Sequence, residues 1–469
     1  GSLLAALMPQ NARNRESWLA IGVTVCGLLI GGLLFPQVAS GAVVRTEFAW
    51  LPAMGLNFAL RVDGLAWIFS MLVLAIGLLV VLYARYYMSA EDPVPRFFSF
   101  LLAFMGSMLG VVLSGNLVQL VVFWELTSLT SFLLIGYWHH RADARRGARM
   151  AFTVTATGGL CLLVGVLLVG HIVGSYDLDA VLAAGDTIRA HALYLPALVL
   201  VALGALTKSA QFPFHFWLPH AMAAPTPVSS YLHSATMVKA GVFLLVRLWP
   251  ALAGTPEWTW LIGGAGVCTL LIGAFIAIFQ HDLKGLLAYS TVSQLGYMFL
   301  GCGLGAYTAA VFHLMTHAFF KALLFLSAGS VIHALSGEQD IRKMGALKSK
   351  IPWTHALFLI GTIAIAGIPP LAGFWSKDEI MGHAFVHHHY LLYGMAAVGA
   401  FLTSFYMFRL TYLTFYGTSR LDHHTAEHVH ESPMVMIGPL IVLATLSVVG
   451  GFPDRKSTRL NSSHITLSR

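Results

Sequence analysis

Runs of about twenty consecutive apolar residues recur from one end of the chain to the other, and no other feature of the sequence restricts the fold as strongly. A helix of that length crosses the hydrocarbon layer of a bilayer. No water reaches that layer to satisfy exposed backbone amides, so only segments that bond internally persist there. Punctuated by Gly, Pro or charge, the runs predict thirteen spans, near 18–36, 63–83, 97–114, 116–137, 151–173, 191–212, 227–249, 257–279, 285–304, 306–333, 352–371, 390–416 and 434–452. Only 10% of the 469 residues are charged, against roughly 25% in soluble domains, which leaves no separate water-soluble domain. The expected architecture is an all-α polytopic membrane protein of 13–14 helices. Gly1-Ser2-Leu3-Leu4 reads as the last turn of a helix whose start is missing.

The net charge of +7 would suggest nucleic acid in a soluble protein, but here the basic residues gather in short loops. Alternate loops place Arg13, Arg15, Arg85, Arg96, Arg141, Arg145, Arg146, Arg149, Lys284, Arg342, Lys343, Lys348, Lys350 and Arg420 on one side. Arg45, Arg61, Arg189 and Lys377 fall on the other. The richer side is expected in the cytoplasm, with Asp177, Asp179 and Asp186 outside. Cys26, Cys161, Cys268 and Cys302 stand alone in apolar segments, without metal or redox spacing, and read as small buried hydrophobes. Asp454 to Arg469 is polar and aperiodic, and reads as a non-native tail.

Two spans carry too much proline to be continuous. Pro213, Pro219, Pro225 and Pro227 follow Lys208, and Pro369 and Pro370 precede Lys377. Paired breaks in two halves of a membrane protein point to inverted repeats with an ion site near the midplane. No residue-level repeat supports the pairing, which rests on the breaks and the lysines.

A charge inside a span costs about 2.5–3.5 kcal/mol even on the lenient insertion scale, so those retained mark wet or paired interiors. Glu125 lies near the centre of its span, Lys208 beside the first break, Lys239 mid-span with His233 six residues earlier, and Lys321 mid-span. His313 and His317 precede Lys321 at intervals of four, so all three share one helical face. A low-dielectric setting weakens an ammonium's hold on its proton and a nearby carboxylate strengthens it, so movement of Glu125 relative to Lys208 would load or unload the lysine. Histidines relay such protons near neutral pH.

Each reading has a plainer alternative. Glu125 and Lys208 could form a static ion pair, His313 and His317 interhelical hydrogen-bond glue, and Lys284 a cap on a helix end. The i, i+4 histidines also suit two metal ligands, but no neighbouring acid or thiolate completes a site. His387-His388-His389 and His423-His424 are expected as solvated loop runs. With no nucleotide loop, P-loop, nucleophile elbow or thiolate cluster in the sequence, neither a cofactor nor redox chemistry is expected of this chain.

At these residues the chain resembles the antiporter-like subunits shared by Mrp cation/proton antiporters and respiratory complex I. The resemblance runs from about Asn57 to Phe452. It is carried by Arg61-Val62-Asp63-Gly64-Leu65, Trp124-Glu125-Leu126-Thr127-Ser128, Lys208-Ser209-Ala210-Gln211-Phe212-Pro213, Trp217-Leu218-Pro219, Pro225-Thr226-Pro227-Val228-Ser229, Leu287-Ala288-Tyr289-Ser290, Phe312-His313-Leu314-Met315-Thr316-His317 and Ser376-Lys377-Asp378-Glu379. Up to about residue 290, Trp138-His139-His140-Arg141 and Phe214-His215-Phe216-Trp217 are similar to the large A-type subunit of Mrp antiporters. Beyond it, Thr291-Val292-Ser293-Gln294-Leu295-Gly296-Tyr297 and Phe374-Trp375-Ser376-Lys377 are similar to the distal L-type subunit of complex I. An intermediate lineage or a junction of two genes would both give this.

The resemblance implies about fourteen helices with two inverted five-helix bundles. It divides the chain into N-terminal helices over 1–115, a first half-channel over 116–279, a second over 280–416 and a C-terminal helix over 417–453, followed by the tail at 454–469. It also implies that Glu125 partners the pumping lysine Lys208, that His233 and Lys239 connect the halves, that His313, His317 and Lys321 relay, and that Lys377 serves the second half-channel. The expected function is proton translocation within a multisubunit monovalent cation/proton antiporter, in the inner (plasma) membrane among other membrane subunits. The alternatives are a proton-pumping L-type subunit of NADH-quinone oxidoreductase and a non-conducting membrane scaffold.

Overall fold

The computed structural model describes residues 1–8, 13–51, 56–89 and 91–452; the tail at 454–469 lies outside them. After a short α1 (Ser2–Ala6), α2 (Arg13–Ala39) keeps only 11% of its apolar window buried. Trp18, Leu29, Leu33 and Phe35 project from it, as they do on a helix against hydrocarbon. An antiparallel hairpin follows that the apolar runs did not predict, β1 (Val44–Leu51) paired with β2 (Leu56–Val62). Its strands occupy the gap between two spans. A side-chain amide satisfies one of its edges, because Gln119 accepts from Ala59 N at 2.8 Å and donates to Ala59 O at 3.1 Å.

Helix starts follow the capping residues. Asp63 accepts from Ala66 N to open α3 (Gly64–Tyr87), and after α4 (Val94–Leu113), Asn116 accepts from Val118 N and Gln119 N to open α5 (Leu117–Ile135). The long α6 (Ala142–Val173) stops at Gly174, whose φ of 77° suits a residue without a side chain. Two short surface helices, α7 (Leu178–Ala183) and α8 (Gly185–Ala190), lead to α9 (Tyr194–Lys208).

The first proline cluster then does what its composition requires. The chain leaves helical geometry after Lys208, makes a short α10 (Trp217–His220), and resumes as α11 (Thr226–Ser234) and α12 (Ala240–Leu252). The gap between α11 and α12 is a further interruption inside what the hydropathy pattern predicts as a continuous span, and Lys239 sits at it, in a 3-10 turn over Met237–Lys239. Beyond it, α13 (Pro256–Trp258) passes through a π turn into α14 (Gly264–Phe279), followed by α15 (Leu283–Gly303), α16 (Tyr307–Ala334) and α17 (Pro352–Ala366). The second break, at Pro369 and Pro370, separates α17 from α18 (Ala372–Val386). The described chain closes with α19 (Tyr390–Phe415), α20 (His423–His428) and α21 (Met434–Val449).

Each expected span falls on helical chain, with 227–249 divided between α11 and α12. Nine segments among the described residues are long and apolar enough to cross a membrane on length and composition alone. At 15 residues each, α9 and α17 reach only about 22 Å, and both stop at a proline break. Burial identifies the centre of the bundle: 89% of the window in Thr226–Leu252 and 83% of that in Tyr307–Ala334 are enclosed, against 28% for α19. Small residues let helices approach closely, and on α14 a Cβ at Gly266 would lie 2.8 Å from Gly296 O of α15.

Some of the charges expected on opposite sides form two separate clusters. Arg45, Arg61, Asp177 and Asp179 form one network, and Arg141, Arg146, Lys284 and Arg342 line one cavity far from it in the topology. Asp63 adds Arg61 and Arg247 of α12 to the first network. Burial pushes the Asp177 carboxyl up, but its bonds to Arg45 and to backbone amides outweigh this and hold it below the usual carboxylate range. Three expectations need correction. Cys26 and Cys268 are exposed on outward helix faces. Lys377 is buried rather than in an outer loop. His423 begins a short helix because Asp422 caps it.

Candidate functional site

Lysines in a bundle of apolar helices must find hydrogen-bond acceptors nearby, and the chain supplies them from backbone carbonyls and serine hydroxyls. Lys208, at the end of α9, is fully buried. Its Nζ donates to Trp124 O at 2.9 Å and to Ser128 Oγ at 2.6 Å, both on α5, and lies 5.1 Å from the Trp124 ring centroid. Glu125 is half-buried beside this cradle, close enough for its charge to act on Lys208. The two are not among the ion pairs of the described residues, and Glu125 Oε1 has no hydrogen-bond partner. That oxygen lies against Gly159 of α6, where a Cβ would collide with it. Glycine here makes room for the carboxylate.

The same cradle recurs around Lys321. From α16 its Nζ donates to Leu287 O at 2.8 Å and to Ser290 Oγ, both on α15, and it lies 5.3 Å from the Phe325 ring. Lys239 donates to Ser234 O and, at 3.3 Å, to Leu314 O of α16. The helix break therefore exposes a carbonyl for the lysine beside it. Lys377, near the start of α18, donates to Ile365 O at the unpaired end of α17 and lies 5.7 Å from the Tyr297 ring.

These groups form a succession. Ser209 donates to Val238 O at 2.6 Å, joining the residue after Lys208 to the residue before Lys239. Lys321 acts electrostatically on Lys239, and both act on His317. His313 and His317 have ring centroids 6.1 Å apart, and His313 Nδ1 lies 2.9 Å from Ser376 Oγ, next to Lys377. His233 feels Lys321 on one side and Lys284 on the other. Both ring nitrogens of His233 and His317, and Nε2 of His313, are buried without a partner. Such buried ring nitrogens are polar groups available to a water or a neighbouring proton carrier.

Lys284 bonds the C-cap of the short 3-10 turn Ala221–Ala223 rather than an end of its own helix. It lies in the first turn of α15, the end of a helix that disfavours a cation, and its Nζ donates instead to Ala224 O between α10 and α11, at 2.7 Å. It also lines a cavity of about 1070 Å³ with Arg141, Asp143, His220, Asp282 and Asp340. All eight residues expected on a proton path thus fall in one connected region. Trp124, Ser128, Ser290, Ser376, Tyr297 and Gly159 were not foreseen as parts of it, although Trp124 and Ser128 share a motif with Glu125 and Ser376 shares one with the buried Lys377.

A family model described as "NADH:quinone oxidoreductase/Mrp antiporter, TM" matches residues 114–403, which include every one of these groups. The chain belongs to that family. A second model, "NADH-Ubiquinone oxidoreductase (complex I), chain 5 N-terminus", matches this family member over residues 50–98. It is 56% identical over 463 residues to a probable K(+)/H(+) antiporter A/B-type subunit of Rhizobium meliloti (strain 1021), covering 97% of this chain and 46% of that one. It is 43% identical over 457 residues to NAD(P)H-quinone oxidoreductase chain 5 of Picosynechococcus sp. (strain ATCC 27264 / PCC 7002 / PR-6), covering 90% and 68%. Among solved structures, the Mrp complex from Dietzia sp. DQ12-45-1b superposes with a TM-score of 0.84 at 34% identity, over 96% of this chain and 49% of that one. The chain thus spans about half the length of the Rhizobium relative and of the Dietzia chain.

Proposed function

We propose that this antiporter-family chain translocates protons within a multisubunit monovalent cation/proton antiporter, as the A-type component of an Mrp assembly, in the inner (plasma) membrane among other membrane subunits. The observation that carries the reading is the succession of buried titratable side chains from Glu125 and Lys208, through Lys239 and His233, to His317, His313, Lys321 and Lys377. In it, Glu125 acts on the charge of Lys208, and Lys321 acts on that of Lys239. Like charges cannot all persist in such a file, because two unit charges about 8 Å apart at an effective dielectric of about 20 repel by about 2 kcal/mol. A proton arriving at Lys239 therefore favours departure from Lys321, and the neutral histidines carry it toward Lys377.

The relative named for K(+)/H(+) exchange matches on both sides of residue 290, which favours a single lineage over a junction of two genes. The test is cation-driven proton movement in vesicles containing the assembled complex. Lys208→Ala should lower it at least about tenfold, the effect of losing roughly 1.4 kcal/mol from the limiting step. Wild-type flux with the complex intact would overturn the reading and leave a scaffold.

A second reading, a proton-pumping component of a quinone oxidoreductase, is favoured by the match to NAD(P)H-quinone oxidoreductase chain 5 over 90% of this chain. Identification of the proteins that co-purify with the chain separates the two.

A further inference from the structure

On the arginine-rich side of the bundle, a cleft of about 380 Å³ opens between the start of α4, the end of α5 and the start of α6. Arg96, Arg145 and Arg149 line it together with Phe100, Phe132 and Leu133, and no carboxylate is in its lining. The size falls within the range of about 300–1,000 Å³ usual for small-ligand sites. Arg96 and Phe100 are one turn apart on α4, as are Arg145 and Arg149 on α6, so each helix offers a vertical pair to the cleft.

The three arginines are not equally spent within the protein. Arg96 donates to Tyr137 O at 2.8 Å and stacks 5.1 Å from its ring, yet its Nε is buried without a partner. Arg145 donates to His139 O and His140 O at 2.7 and 3.0 Å, which fixes the α5–α6 loop. Arg149 is exposed and makes no hydrogen bond or ion pair with the described residues. Glu16 and Asp92 both act on Tyr137, and neither lines the cleft.

We propose that this cleft binds an anionic phospholipid, its phosphate between Arg96, Arg145 and Arg149 and the head of an acyl chain on Phe100, Phe132 and Leu133. The charge complementarity identifies the occupant: a cationic mouth above an aromatic floor, at the edge of a membrane-spanning bundle, presents both halves of such a lipid with what each requires. The larger cavity beside Lys284 mixes acids with bases and has no such preference. Bound there, the lipid would tie α4 to the α5–α6 pair that holds Glu125 against Gly159.

The test uses the assembled complex in neutral detergent and follows its thermal unfolding on titration with phosphatidylglycerol, phosphatidylcholine or inorganic phosphate. Phosphatidylglycerol should give a saturable rise in Tm that phosphatidylcholine and phosphate do not give. Arg149→Gln, which breaks no bond in the fold, should shift the titration midpoint about fivefold, the contribution of one basic residue at a membrane surface, and Arg149→Lys should restore most of it. Equal responses to the two lipids, an equal response to inorganic phosphate, or a wild-type titration in Arg149→Gln would each overturn the proposal. So would a photocrosslinker at residue 149 that captures a protein neighbour in place of lipid.

Discussion

The regions around Lys208 and Lys321 hold a lysine in the same way and balance its charge differently. Each Nζ grips a carbonyl and a serine hydroxyl on a neighbouring helix, Trp124 and Ser128 in one case, Leu287 and Ser290 in the other, with an aromatic ring about 5 Å away. Glu125 stands beside the first. Among the described residues no carboxylate acts on Lys321, and none acts on Lys239 or Lys377. The contrast separates two ways of holding a buried ammonium. Lys208 has a counter-ion within its own chain, whereas Lys321 is held by burial, a carbonyl and a hydroxyl without one.

The largest expected effect comes from removing the difference on the acid side. Glu125→Gln should reduce cation-driven proton flux by about tenfold or more while the complex still assembles; unchanged flux would mean that the acid is ornamental and the two regions equivalent. Adding the missing counter-charge is nearly as severe. Ser290→Asp should fix a proton on Lys321 and lower flux about tenfold, since an ion pair at about 4 Å is worth about 4 kcal/mol at an effective dielectric of about 20. Normal flux in that variant would show that charge repulsion does not operate there.

Gly159→Ala should have a moderate effect, displacing Glu125 from α6 without altering its chemistry. Several-fold slower flux is expected, with a fall in Tm from overpacking of about 1–3 kcal/mol. Smaller still are the hydroxyl deletions, each removing a hydrogen bond worth about 1 kcal/mol. Ser290→Ala should slow flux about fivefold and Ser128→Ala about twofold, because only Lys208 retains an acid nearby; the reverse order would break the comparison.

The smallest effect concerns the frame that both regions share. Asp177 is held below the usual carboxylate range, so its bond to Arg45 contributes fully above the unfolded value of about 3.9 and is lost as pH falls through the lower folded value. The Tm of the complex should therefore be nearly constant from about pH 8 to 5 as far as this pair is concerned, and Asp177→Asn should lower Tm at pH 7 while narrowing its difference from wild type below about pH 4. A constant difference across that range would remove the pair from the frame.

The helices were legible because twenty apolar residues in a row have few other uses, and the lysines because charge within such a run is expensive. Prolines revealed two breaks. The break before Lys239 was hidden, since Ser234, Ala235 and Thr236 carry no strong helix-stopping residue and the geometry follows from packing. Ser128 and Ser290 were hidden for a related reason: serine is common in membrane helices, and only the position of a lysine on another helix distinguishes these two. Gly159 is one of 45 glycines, and nothing local marks it as the one against a carboxylate. The hairpin was missed because its short strands lie between spans and compete poorly with the longer helical signal.

Arg247 gives α12 a different mechanical character at its two ends. It is buried and bound to Asp63, which is bound in turn to Arg61 at the mouth of the hairpin, while the opposite end of the helix dissolves into the turn that carries Lys239. A helix pinned by charge at one end and jointed at the other pivots rather than slides, so a displacement at Lys239 would swing α12 about its Arg247 anchor.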